Sequence, residues 1–201
     1  MQMTLLGEAN DYLGKGMAGG RIVLEPRAGS PERAEDVVVG NTVLYGATGG
    51  QVYINGSAGE RFGVRNSGCR TVVEGVGDHC CEYMTQGTVV VLGRTGKNFG
   101  AGMTGGLAFV YDPDGSFVGK YNSEFVKVER AGAGTSDELE ELERLVREHA
   151  KLTGSRKGRN LLEHWDEATQ DFWMVTPWEI LKLREREKEA EEEIEDDEIS
   201  A

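Results

Sequence analysis

Proline, tryptophan, histidine and cysteine are scarce in this 201-residue chain, with 4, 3, 3 and 3 of each. The cysteines are odd in number and form no C-x-x-C pair. That removes the framework of a disulfide-rich secreted domain and the common spacing of a structural zinc site. A reduced, cytoplasmic protein is the simplest expectation. No apolar run approaches the roughly 18 residues that span a bilayer, so no membrane partner is expected. Met1–Ala9 also lacks the basic start and apolar stretch of a secretory signal. Cations are in deficit: 22 Lys and Arg face 35 Asp and Glu, a formal net charge of −13. Non-specific nucleic-acid binding needs clustered cations, so nucleic acid is not an expected partner either. Arg184–Ala201 holds 10 acids and 3 bases, a net −7, which leaves −6 for the other 183 residues. The acidity is therefore mostly a solvated tail.

Glycine is abundant instead. There are 29, about twice the usual share of roughly 7%, and 25 of them precede residue 120. A Gly-rich, β-branched part is followed by a charged, Gly-poor one. The glycines fall into five related segments: Asn10–Gly20, Gly40–Gly50, Gly59–Cys69, Gly77–Gly87 and Gly96–Gly106. Their last residues lie 30, 19, 18 and 19 positions apart. The long first step fits an insertion around Pro26–Asp36, rich in charge and turn formers. Each segment precedes a short β-type run: RIVLE, QVYIN, RTVVE, TVVVL and LAFVY.

Stacked, these repeats give columns. One is Ile22, Val52, Thr71, Val89, Ala108, and a second is Leu24, Ile54, Val73, Val91, Val110. A third, earlier in the repeat, is Leu13, Val43, Phe62, Cys80, Phe99, and a fourth holds the small residues Ala18, Thr48, Ser67, Thr85, Thr104. The first two are two residues apart and share one strand face. A unit of 18–19 residues cannot bury that face alone, whereas stacking equivalent strands about 4.8 Å apart does so. The pattern predicts an all-β fold, a single-stranded parallel β-helix over residues 1–130, with glycines at its corners. Leucine-rich solenoids need longer coils and a Leu/Asn signature, absent here.

Two glycine segments, GKGMAGG and GAGMTGG, match G-x-G-x-x-G. A dinucleotide loop with that spacing must follow a strand and open a helix. Here each copy precedes a strand, which favours a structural role. Other chemistry is weighed the same way. His79-Cys80-Cys81 is a tempting ligand cluster, but neighbours on a strand face opposite ways, and Cys80 falls in an apolar column. Cys69 takes a corner-glycine position and reads as structural. The carboxylates Glu60, Glu74, Asp78 and Glu82 sit on or near corners, with nothing to pair them across a cleft. His149 and His164 lie in helical segments as packed or exposed histidines. No G-x-S-x-G, H-E-x-x-H or Walker pattern occurs. The residues name no catalytic, cofactor-binding or metal site. A free-standing enzyme using corner carboxylates and a small-molecule binder at the glycine corners stay open beside a structural module.

Residues 131–183 form a helical cap or docking segment in this reading, and 184–201 an acidic tail. Thr135 or Ser136 caps a helix with acids in its first turn. Leu139, Leu142, Leu145, Val146, His149 and Leu152 give it one apolar face, and Gly154 stops it. A second helix runs from about Arg156 to His164. Asp171–Leu181 is apolar, is interrupted by Pro177 and packs on the coil. Residues Lys182–Glu195 form a charged helix or a disordered tail.

The segments at Asn10–Pro26, Val38–Gly50, Asn55–Gly68, Val72–Gly93 and Gly96–Gly106 closely resemble the C-terminal domain of the glutamate synthase large subunit. The likeness continues through REHAKLTGS (Arg147–Ser155), LLEHW (Leu161–Trp165) and FWMVTPWEI (Phe172–Ile180), covering about residues 7–180. That domain is a right-handed parallel β-helix named for its G-x-G-x-G repeats. The resemblance implies a non-catalytic scaffold, here as a free-standing chain. In that family glutaminase chemistry belongs to a domain with an N-terminal cysteine nucleophile, and glutamate formation to a domain with flavin and an iron–sulfur cluster. This chain starts Met1-Gln2 and is expected to bind no cofactor. FMN and the cluster are expected on partner chains: a glutamine amidotransferase subunit and an FMN-binding synthase subunit. A homo-oligomer stays open. The β-helix subunit of formylmethanofuran dehydrogenase and the subunits of N-methylglutamate synthase resemble the same repeat and give the alternative host complexes.

Overall fold

The computed structural model describes residues 1–27 and 36–199. Its strands are β1 (Gln2–Leu6), β2 (Ala18–Glu25), β3 (Val37–Val39), β4 (Gly49–Ala58), β5 (Ser67–Gly75), β6 (Gln86–Val91), β7 (Leu107–Tyr111), β8 (Val126–Arg130) and β9 (Phe172–Pro177). Its helices are α1 (Ser136–Thr153), α2 (Arg156–Glu163), α3 (Trp165–Gln170) and α4 (Trp178–Ile199). β1, β2, β4, β5, β6 and β7 pair in parallel in that order, one strand per coil. The fold is the expected parallel β-solenoid of about five coils, carrying a C-terminal helical extension. The expected insertion lies largely outside the described residues. The short strand β3, next along the chain, pairs with the far end of β4 through Val37↔Ser57 and Val39↔Ala58.

Register follows the columns. Ile22, Val52, Thr71, Val89 and Ala108 are Cα partners in sequence, and so are Leu24, Ile54, Val73, Val91 and Val110. Both files are buried in one core with Val43, Phe62, Cys80 and Phe99. The small-residue column faces out: Ala18, Thr48, Thr85 and Thr104 are exposed. The intervening file of Val23, Tyr53, Val72, Val90 and Phe109 points out of the coil into a second core. There it meets Leu142, Leu145 and Val146 of α1, spaced i, i+3, i+4 along one helical face.

The opposite side of each coil is built differently. Three residues per coil, spaced by two, have left-handed φ. They are 12, 14 and 16; 42, 44 and 46; 61, 63 and 65; 79, 81 and 83; 98, 100 and 102. Six are glycine, and the other nine are all the non-glycine residues with positive φ among the described residues. Their N–H groups bind neighbouring coils in a fixed alternation. In the first four coils the first and third donate to the next coil, as Tyr12 does to Asn41 (2.9 Å) and Gly16 to Tyr45 (2.9 Å). The middle one donates back, as Leu44 does to Leu13 (2.8 Å) and Cys81 to Phe62 (2.8 Å). The main-chain donors of this ladder thus find acceptors along the axis.

The middle column alternates in size: Gly14, Leu44, Gly63, Cys81, Gly100. Leu44 and Cys81 are fully buried and fill the space the glycines leave. A methyl group on Gly14 would lie 2.8 Å from Leu44 Cδ2.

The last coil is closed from below. Phe117 packs edge-on against Phe99, ring centroids 5.3 Å apart. β9 pairs antiparallel with β7 and then with β8. Phe172–Pro177 is thus a strand within the segment expected to be helical. Its partner β7 is distant in sequence, and the pairing gives the last parallel strand a neighbour. α1 begins at a capping box between Thr135 and Glu138 and ends at Gly154, φ +68°.

Two substitutions separate the reasons for glycine. Gly46 has φ +64° and open space around it. Gly46→Ala is expected to cost about 1 kcal/mol from backbone conformation alone. At Gly105 a methyl would lie 2.0 Å from the Thr85 carbonyl oxygen, so Gly105→Ala is expected to cost more, because two coils must part. Urea unfolding of both variants checks the ranking.

Candidate functional site

The structure scatters the corner carboxylates instead of gathering them. Asp78 Oδ1 accepts the Lys97 N–H at 2.7 Å. Its equivalents do the same, Asp11 Oδ1 from Asn41 N–H (2.7 Å) and Asn41 Oδ1 from Glu60 N–H (2.8 Å). These side chains tie each coil to the next. Glu82 pairs with Arg61 at 2.7 Å. His79, half-buried, has Nδ1 3.1 Å from Asn98 Nδ2 and 3.9 Å from Glu82 Oε1. His164 is exposed at the α2–α3 junction.

The cysteines are interior. Cys80 and Cys81 are both buried with sulfurs 3.7 Å apart. Adjacent residues face the same interior because Cys81 has φ +59° and breaks strand alternation, which corrects the opposite-face expectation. His79 does not join them. All three cysteines are free and buried. Burial pushes the Cys69 thiol from its ordinary 9.0 up to about 12. Burial, and then Cys81 beside it, raises Cys80 well above the ordinary value. Among the described residues, no cluster of His, Cys, Asp or Glu is disposed to hold a metal ion. No helix among them is long and apolar enough to cross a membrane.

One constellation was missed from sequence. Glu74 belongs to β5, not to an exposed corner, and is buried at the coil–helix boundary with His149 and Ser155. Its Oε1 accepts the Ser155 hydroxyl proton and lies 3.2 Å from His149 Nε2. The side-chain hydroxyl of Ser155 also accepts the Gly158 N–H at 2.9 Å, capping α2. Nearby, Asn55 Nδ2 donates to the Thr153 carbonyl at 3.1 Å. The signal was present: His149 lies seven residues after Leu142 on the apolar face of α1, over the strand carrying Glu74. Serine, histidine and glutamate are assembled here, yet the carboxylate contacts both partners and the hydroxyl does not reach the imidazole. With all three sealed from solvent, the arrangement pins the helices to the coil and offers no nucleophile. One residue before His149 on α1, Glu148 accepts the Tyr53 hydroxyl proton. Burial and then that carboxylate raise the phenol above its ordinary range.

Fold and site together define a β-solenoid body in which Asp11, Asn41 and Asp78 tie coil to coil and Glu74, His149 and Ser155 tie coil to helix. The chain belongs to the GXGXG-motif family, whose model matches residues 1–178. It is 51% identical over 178 residues to the chloroplastic ferredoxin-dependent glutamate synthase of Spinacia oleracea, and 53% identical over 178 residues to that enzyme of Pyropia yezoensis. To the glutamate synthase [NADPH] large chain of Bacillus subtilis it is 46% identical over 179 residues. Each match covers 88% of this chain but only 11–12% of the relative. The chain thus spans about a ninth of the length of these relatives.

Two outcomes test the interior. Glu74→Ala leaves His149 and Ser155 buried without their carboxylate and is expected to cost about 3 kcal/mol in urea unfolding, with faster hydrogen exchange in α1. For Cys69, folded and unfolded chains both hold the proton below pH 9. Between pH 9 and about 12 only the unfolded chain loses it. Its contribution to stability is therefore complete below pH 9 and declines as pH rises toward 12. Cys69→Ala is expected to flatten that decline in unfolding measurements at stepped pH.

Proposed function

We propose that this chain is a structural subunit of a glutamate synthase-type assembly, holding catalytic chains in place without catalysing a step. The observation that carries the reading is the match over residues 1–178 to a portion of glutamate synthases, joined to a body in which Glu74, His149 and the three thiols are buried and Asp78 and Glu82 are engaged in bonds between coils. The partners in this proposal are a glutamine amidotransferase chain and an FMN-binding synthase chain that also carries an iron–sulfur cluster, within the cytoplasm. The three buried thiols do not fit such a cluster, which takes spaced thiolates, so no step is assigned to one here. The 131–183 segment serves in this reading as cap and docking element. Its strand β9 covers the edge of β7, and its helices cover the outer face of the sheet.

Reconstitution tests the proposal. The isolated chain is expected to show neither glutaminase nor glutamate-forming activity. Mixed with the two catalytic chains, it is expected to co-elute with them and to raise glutamate formation from glutamine. Failure to associate with either chain would overturn the reading.

A further inference from the structure

The outer side of the left-handed ladder carries a stripe of side chains. Tyr12 and Lys15 come from the first coil, Tyr45 from the second, Arg65 from the third and Tyr83 from the fourth. Lys15 Nζ lies 5.2 Å from the Tyr12 ring centroid and 5.9 Å from that of Tyr45. Arg65 Cζ lies 5.9 Å from Tyr45 and 6.0 Å from Tyr83. The order is ring, cation, ring, cation, ring along the coil axis. Gly102 makes room for the last ring, since a methyl there would lie 2.4 Å from Tyr83 Cδ1.

Folding does not account for this stripe. Tyr12 and Tyr83 are 51% and 50% exposed, and Lys15 and Arg65 are exposed too. Tyr12, Arg65 and Tyr83 have φ of +64°, +53° and +55°. The column that holds Arg65 and Tyr83 otherwise contains Gly16, Gly46 and Gly102. Glycine takes that conformation freely, whereas a side chain there carries strain. Leu44 and Cys81 offset their strain by burial, but an exposed side chain has no such return from the core. Charge is also left unused. In a chain of 35 acids, neither Lys15 nor Arg65 has a carboxylate partner among the described residues.

We propose that the stripe from Tyr12 to Tyr83 is a docking surface for an acidic face of a partner protein chain. The inference rests on the proposed assembly of this chain with other subunits, and it names the surface used. Tyrosine and arginine are the residue types that concentrate binding energy at protein interfaces. A cation held over a ring keeps its N–H groups free for an incoming carboxylate. The protein's overall charge of −13 repels anions, so an acidic partner is drawn in only where cations stand unpaired. A nucleic acid would extend its phosphates past the stripe over residues 1–183, which still carry a net −6. A folded partner needs only two carboxylates at the right spacing.

The test uses the whole 201-residue chain, co-purified with the amidotransferase and FMN-binding chains and titrated in calorimetry. Tyr83→Gly and Arg65→Gly relieve the left-handed strain, so their melting temperatures are expected to be unchanged or higher. Their affinity for the partner is expected to fall roughly tenfold or more, as is that of Lys15→Glu. Lys188→Glu, the same charge change on the exposed far part of α4 beyond the docking segment, is expected to bind like wild type. Lower affinity with preserved stability supports the proposal. Unchanged affinity in all three stripe variants overturns it and leaves the scaffold reading standing. A wild-type chain that binds neither catalytic chain removes both. Binding of a mixed-sequence single-stranded DNA oligomer at roughly 150 mM salt, abolished by the stripe variants, would overturn it in favour of nucleic acid. A wild-type dimer in sedimentation, lost in those variants, would overturn it in favour of self-association.

Discussion

The constraint on which the rest depends is the main-chain pairing between coils. Each coil must meet its neighbours at the spacing of hydrogen-bonded strands, about 4.8 Å, all the way round. On one side ordinary parallel strands do this. On the other side the backbone is left-handed at every second residue, sending N–H groups alternately to the coil above and the coil below. A buried donor without an acceptor costs about 1–3 kcal/mol, more than the roughly 1–2 kcal/mol of one left-handed residue when the donor is well sealed. That inequality explains why the conformation persists at residues as ill suited to it as Leu44 and Thr42.

Once the backbone is fixed this way, the side chains at left-handed positions sort by direction. Those facing in trade volume down the axis, glycine beneath leucine and glycine beneath cysteine, so the interior stays filled. Those facing out have no packing to gain. Asp11, Asn41 and Asp78, just ahead of the ladder, spend their oxygens on the next coil's N–H. Asp78, which looked like a candidate acid or base, therefore serves the main-chain accounting, as capping residues do in helices.

Much of this was readable from spacing alone. Leu24, Ile54, Val73, Val91 and Val110 fall into one file because a strand reverses face every residue and the repeat length is nearly constant. Thr135, Glu138 and Gly154 mark the ends of α1 by local chemistry. Two kinds of feature escaped. One is conformation without a composition mark: Cys81 and Leu44 are left-handed only because their column equivalents, Gly14, Gly63 and Gly100, are. The rule that neighbours on a strand diverge failed for Cys80 and Cys81 for that reason. The other is non-local pairing. β9 joins β7 across more than sixty residues, and Glu74 meets His149 across 75. Neither half of these pairs carries a signal by itself, although a histidine on the apolar face of α1 implies a buried polar partner on the sheet beneath.

The same constraint bears on how such a body would recognise another chain. A loop that binds must first be ordered, and each immobilised side chain costs about 0.5–1.5 kcal/mol on association. Tyr12, Arg65 and Tyr83 stand on backbone already held by hydrogen bonds to the neighbouring coil, and the rings and cations hold one another. Their ordering is settled when the coil forms. Strain that weakens the fold at these residues is thus coupled to a surface whose geometry is set before a partner arrives. A solenoid repeats the backbone of that ladder at fixed intervals, while the side chain at each position changes from coil to coil, Tyr12 giving way to Thr42, Arg61, His79 and Asn98. The pre-ordered backbone, more than any single side chain, thus fixes the spacing at which neighbouring coils present their side chains.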